Sequence, residues 1–206
     1  MSSAAQLMLL FVGAALVNNI LLTRFIALCS FFGISNDMHT SIGMSLAVIF
    51  VMMMASTATW LFYYFLLKPL GVGEFLYIPA FILVIAALVQ FVEMYLRKYS
   101  PALYRAMGIY LPLITTNCAV LAAATEAVKP GFFKMGIAYN FTLGENLIYT
   151  LGVACGYGFA LLSFTAMRER LELAKVPEWL KGSPMAFITA GLLSLGYIGL
   201  GSLFGL

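Results

Sequence analysis

The stretch Asn18-Asn19-Ile20-Leu21-Leu22-Thr23-Arg24-Phe25-Ile26-Ala27-Leu28-Cys29 lies inside an apolar run of membrane-spanning length, yet it carries two adjacent asparagines and an arginine. A second stretch, Gly108-Ile109-Tyr110-Leu111-Pro112-Leu113-Ile114-Thr115-Thr116-Asn117-Cys118, is interrupted by a proline, two threonines and an asparagine, and it also ends on a cysteine. Hydrocarbon offers no water to freed backbone N–H and C=O groups. Broken helix and polar side chains are therefore tolerated there mainly where they face protein, a cofactor or a cavity. The two stretches read as halves of one buried site.

Working outward, the whole chain has the composition that such segments require. Of its 206 residues 63% are hydrophobic and 9% charged, and its mean hydropathy is +1.01. A soluble domain carries roughly 25% charged residues. The fold class expected is therefore all-α, a polytopic membrane protein. Six apolar segments run at about 6–33, 40–67, 76–97, 104–126, 145–167 and 184–205, and a span needs roughly 20 residues. The first is too long for one straight span, which fits a break over residues 18–24. The first run also lacks a basic leader and a small-residue cleavage site, so it reads as a mature span. A net charge of +3 built from so few charges cannot line a basic groove, which argues against a nucleic-acid partner. No segment resembles a soluble catalytic domain. Nucleotide or flavin chemistry would need another subunit.

The six spans divide into three plus three. Setting Cys29 on Cys118 aligns the interrupted segments, and Pro79-Ala80-Phe81-Ile82 resembles Pro184-Met185-Ala186-Phe187-Ile188. An odd number of spans per repeat turns the second copy upside down, giving one membrane domain over 1–206 made of two inverted repeats, about 1–100 and 101–206, with broken first and fourth helices.

Cys29 and Cys118 are the leading candidates for chemistry. A single cysteine in an apolar helix is usually a small buried hydrophobe. Two at matching positions in interrupted helices are half of the four thiolates that an iron–sulfur cluster normally takes. A second copy or a homologous partner would complete the set. Four-cysteine zinc and a disulfide are the competing readings. Cys155, in a plain span, is expected to serve packing. Arg24 is a basic residue inside a span, either snorkelling or pairing with a negative group. Asn18, Asn19, Thr115, Thr116 and Asn117 can satisfy the breaks, bond cluster sulfurs or line an ion path. Glu93 stands one turn from Arg97 and reads as a helix-end ion pair or as a carboxylate carrying a cation. The spacing Gly152-x-x-x-Gly156 permits close helix contact, but glycine is common in membrane helices and the signal is weak.

Leu16-Val17-Asn18-Asn19 and Leu28-Cys29-Ser30-Phe31-Phe32-Gly33 resemble the A subunits of Rnf electron-transport complexes. So do Gln90-Phe91-Val92-Glu93-Met94, Leu111-Pro112-Leu113-Ile114-Thr115-Thr116-Asn117-Cys118 and Ala166-Met167-Arg168-Glu169-Arg170. The resemblance covers nearly the whole chain. The E subunit of the sodium-pumping NADH:quinone oxidoreductase is similar too. The resemblance implies a bacterial inner-membrane component of a complex that couples electron transfer between ferredoxin and NAD to sodium or proton movement. It implies a 2Fe-2S cluster held by Cys29 and Cys118 together with two cysteines of a homologous E subunit, and further D, G, B and C subunits as partners. On this reading the chain is an enzyme only as part of that complex. The residues alone leave a rival, a small inverted-repeat secondary transporter, which suits broken helices equally well.

Loop charges set the orientation. Arg97, Lys98, Arg105, Arg168, Arg170, Lys175 and Lys181 fall on one side, against Lys68, Lys129 and Lys134 on the other. The richer side is expected in the cytoplasm, with both termini outside. A reporter active only in the cytoplasm, fused after Leu206, should stay silent. Strong activity there reverses the assignment.

Overall fold

A computed structural model describes residues 3–17, 19–35, 37–70, 76–99, 116–128, 142–174, 177–180 and 182–203. Helix α1 (Ser3–Val12) runs on through a π-helical turn, Gly13–Val17. The chain then leaves helix over residues 19–27 and resumes it as α2 (Leu28–Ile34). Helix α3 (Met38–Phe62) continues through a second π-helical turn, Tyr63–Leu67, to Lys68–Leu70. Next come α4 (Tyr77–Tyr99), α5 (Cys118–Val128), α6 (Leu143–Glu172), a 3-10 turn at Glu178–Leu180, and α7 (Ser183–Leu203).

Each of the six apolar runs thus carries helix, and the described residues hold no strand. Among the described residues three helices, over Met38–Leu67, Tyr77–Met94 and Leu143–Glu172, are long and apolar enough to cross a membrane. Shorter apolar helices occupy Leu7–Leu16, Cys118–Val128 and Ser183–Gly199. The break expected in the first run is present. Most of the break expected in the fourth, residues 108–115, lies outside the described residues.

The chain forms two compact units, Met1–Leu46 with Gly152–Leu206, and Ala47–Leu151. This partition follows packing and not the two sequence repeats. Cys29 belongs to the first unit and Cys118 to the second.

Lipid tails are as apolar as leucine, so helices in a membrane are held by close packing and interhelical hydrogen bonds more than by exclusion of water. Both units show this. In the first, Phe31 stacks on Phe164 with ring centroids 4.2 Å apart, over a core of Ile20, Leu21, Leu22, Tyr157 and Leu161. Ser41 of α3 shares a 2.9 Å hydrogen bond with Thr165 of α6. In the second unit, Phe81, Ile85 and Val89 form the buried stripe of α4, four residues apart as helical periodicity requires. Ile82, Leu83, Phe91 and Met94 of the same helix face outward as bulky apolar groups, a surface suited to lipid. Ser56 donates to Asn146 Oδ1 at 2.9 Å and shares a 2.8 Å bond with Thr150.

The weak glycine signal in α6 turns out to mark a tight contact. A Cβ on Gly156 would stand 2.5 Å from the Ala15 carbonyl oxygen, and one on Gly152 would stand 2.9 Å from that of Phe11. The absence of side chains at these two positions lets the end of α1 and its π-helical turn lie against α6. Gly199 has open space around its Cβ position. Gly156→Ala should therefore destabilise the protein by about 1–3 kcal/mol through overpacking. Gly199→Ala should be neutral or slightly stabilising, since alanine is the better helix former by up to about 1 kcal/mol. Thermal unfolding in detergent compares them, and a Gly156→Ala protein as stable as wild type contradicts the close approach.

Candidate functional site

At the first break, Asn19 is 1% exposed and both ends of its carboxamide are used. Oδ1 accepts the Leu21 N–H at 3.1 Å, and Nδ2 donates to the Gly156 carbonyl at 2.7 Å. The Thr23 N–H reaches the Asn19 carbonyl at 2.9 Å, and Ser194 of α7 donates to the Leu22 carbonyl at 2.7 Å. Backbone groups freed by the loss of helix are thereby satisfied inside the protein. Thr23 and Arg24 lie in the turn, exposed and half-buried respectively. Phe25 (φ 52°) and Ala27 (φ 68°) hold left-handed backbone without being glycine. Such residues cost of order 1–3 kcal/mol each and persist where surrounding structure over-determines them.

That constrained backbone delivers Cys29 into the first turn of α2 as a free, exposed thiol. Its neighbour Ser30 is buried, donates to the Ala27 carbonyl at 3.0 Å and shares a 3.0 Å bond with Tyr157 Oη. The far end of α2 is capped from elsewhere. Arg168 Nη1 donates to the Phe32 carbonyl at 3.0 Å and to Ser35 Oγ at 2.6 Å, and Ser41 Oγ donates to the Ile34 carbonyl at 3.3 Å. A cation at a helix C-terminus also suits the negative end of the helix dipole. A short helix that is marginal by itself is thus fixed at both ends.

Ahead of α5, Thr116 lies in an exposed turn and Asn117 caps the helix. Asn117 is 3% exposed. Its Oδ1 accepts the Ala119 N–H at 3.0 Å, the N-cap bond that satisfies an orphan donor of the first turn. Its main-chain carbonyl accepts from Val120 at 3.1 Å. Its Nδ2 is buried and has no hydrogen-bond partner. Leaving such a group unpaired costs about 1–3 kcal/mol. Cys118, the first residue of α5, presents a second free, exposed thiol where the helix dipole favours negative charge. Eight residues on, Glu126 is 4% exposed and accepts a 2.5 Å hydrogen bond from Tyr149 Oη of α6.

The Rnf-Nqr family model, described as "Rnf-Nqr subunit, membrane protein", matches residues 7–204, which include both cysteine-bearing stretches. This chain belongs to the Rnf-Nqr family. Relatives named as the A subunit of an ion-translocating oxidoreductase complex align along almost their whole length. The one from Syntrophotalea carbinolica is 47% identical over 198 residues, 96% of this chain and 97% of its own. The one from Aromatoleum aromaticum is 49% identical over 197 residues, 95% of this chain and 96% of its own. The one from Pseudoalteromonas atlantica is 46% identical over 194 residues, 94% and 95% of the two chains. An all-helical, multi-pass membrane protein is what family and fold agree on.

Within this Rnf-Nqr fold the residues singled out from sequence are distributed as follows. Cys29, Asn19 and Arg24 are at the first break and Cys118, Thr116 and Asn117 at the start of α5, while Asn18 and Thr115 lie outside the described residues. Glu93 is half-buried in α4, and the Arg97 side chain expected to pair with it lies outside the described residues. Cys155 is exposed, so it does not fill the buried packing position expected of it. Among the described residues no group of three or more His, Cys, Asp or Glu side chains could hold a metal. Two thiols by themselves leave a four-thiolate centre half complete.

Three residues of this setting are not distinguished by sequence. Arg168 reads as a cytoplasmic anchor after a span, and instead it caps the cysteine-bearing helix α2. Glu126 closes the fourth apolar run, and in the structure it is a buried carboxylate of α5. Tyr157 is one aromatic among many. The one signal for Glu126 is its distance from Cys118, two helical turns on.

Proposed function

We propose that this chain is the electron-relaying membrane component of an Rnf-type complex, an ion-translocating ferredoxin:NAD oxidoreductase of the bacterial inner membrane. Cys29 and Cys118 each supply a thiolate to a 2Fe-2S cluster, and a homologous E subunit supplies the other two. The D, G, B and C subunits complete the assembly, and both termini of this chain face outward. The observation that carries the reading is the pair of free, exposed thiols, each in the first turn of a helix, in a chain whose near-full-length relatives are named as subunits of an ion-translocating oxidoreductase complex. Two soft donors per chain fit half of a four-thiolate set. The same names favour a redox role over a secondary transporter.

When bound, a cluster of this kind takes up and returns one electron at a time. The chain's own task is to hold the ligands still. Asn19 and Ser194 fix the backbone ahead of Cys29, Arg168 and Ser41 fix the helix behind it, and Asn117 starts the helix that carries Cys118. Coupling to sodium or proton movement is assigned to the polar groups along the same path, namely Asn18, Asn19, Arg24, Glu93, Thr116 and Asn117. The carboxylate of Glu93 is the group best able to neutralise a passing cation.

A serine oxygen is a poor replacement for thiolate at a soft iron site. Cys29→Ser or Cys118→Ser should abolish the paramagnetic resonance signal of the shared cluster in the reduced complex and stop electron flow across the membrane. Cys155→Ser should leave both nearly unchanged, and Glu93→Gln should lower ion pumping more than electron transfer. Full iron content and normal turnover in the Cys29 and Cys118 variants would overturn the assignment.

A further inference from the structure

The helix that begins at Cys118 has a donor with nothing to donate to. Asn117 is 3% exposed, and its Nδ2 is closed to water and has no acceptor. Which end of the carboxamide is which follows from the capping bond. The Ala119 N–H, 3.0 Å away, needs an oxygen, so the NH2 group must be the end left over. Buried polar groups are nearly always paired, and one that is not calls for an explanation. The next residue, Cys118, presents an exposed thiol, so a group ligated there would bring sulfur acceptors to the adjoining position.

We propose that Asn117 Nδ2 donates a hydrogen bond to sulfur of the group ligated at Cys118, either the thiolate or an adjacent sulfide, and thereby raises the reduction potential of the cluster. The inference rests on the reading of Cys118 as a cluster ligand. Sulfur ligands accept such bonds, and hydrogen bonds to them are among the factors that set cluster potentials. Reduction adds negative charge to the sulfurs, so a fixed donor beside them stabilises the reduced form more than the oxidised one. Asn117 is then a positioning residue with two functions. Its oxygen holds α5 and its nitrogen tunes what α5 carries.

Asn117→Ser separates the two functions, because a serine oxygen still caps the first turn while the amide donor is gone. In the purified, intact complex the variant should keep its iron and its resonance signal. At a fixed potential the ratio of reduced to oxidised cluster should fall about tenfold, a downward shift of about 59 mV for a one-electron couple in a redox titration. An unchanged potential with the signal intact overturns the inference and leaves the cluster assignment standing. A wild-type complex with no signal dependent on Cys118 removes the cluster reading itself. If Asn117→Ser fails to assemble, wild-type complex grown with side-chain 15N-asparagine decides. A hyperfine coupling from an amide nitrogen to the reduced cluster supports the bond, and its absence overturns it.

Discussion

A helix cannot be broken inside a membrane unless every backbone group it releases finds a partner in the protein. This chain meets that constraint with the Asn19 carboxamide, which takes the Leu21 N–H on one side and gives a hydrogen bond to the Gly156 carbonyl on the other. The rest of the first unit is arranged so that these bonds can form. Gly156 must lack a side chain for Ala15 to come so near. Ser194 must reach over to the Leu22 carbonyl. With the break secured, the left-handed residues Phe25 and Ala27 can turn the chain and start a new helix just ahead of Cys29. The placement of the Cys29 thiol depends on a polar repair made about ten residues upstream.

The second unit uses the same chemistry with a different outcome. Asn117 takes the N–H two residues ahead, as Asn19 does, but its amide nitrogen goes unused. The contrast separates a purely structural asparagine from one with capacity held in reserve next to a candidate ligand. In the same unit, the hydroxyls of Ser56 and Thr150 and the amide of Asn146 pair among themselves, so these buried polar groups are organised into bonds between helices. Glu126 with Tyr149 adds a buried carboxylate on the helix that starts at Cys118.

Much of this is legible in the sequence because membranes leave few options. Long apolar runs with few charges must be helices, and polar residues within them must have a reason. Asn19, Cys29, Asn117 and Cys118 stand out on that ground, and the family match over residues 7–204 agrees with the resemblance their motifs carry. Partnerships between distant residues are not legible in the same way. The capping of α2 by Arg168 spans more than a hundred positions, and a loop-side arginine after a span looks the same whether it anchors to headgroups or closes a helix. The glycines of α6 show the same ambiguity, because spacing alone does not say which backbone approaches. Glu126 sits at the edge of an apolar run, where pattern says least about whether a carboxylate belongs to the helix or to the loop beyond it.

On the proposed reading this chain holds half of a metal centre whose other half belongs to a homologous partner. The most direct measurement is the content of non-haem iron and acid-labile sulfide in the pair formed by this chain and that partner, purified together and apart. Two irons and two sulfides per pair are expected, matching one 2Fe-2S cluster, and none in either chain alone. A stable pair free of iron, or iron bound by this chain without its partner, would contradict it.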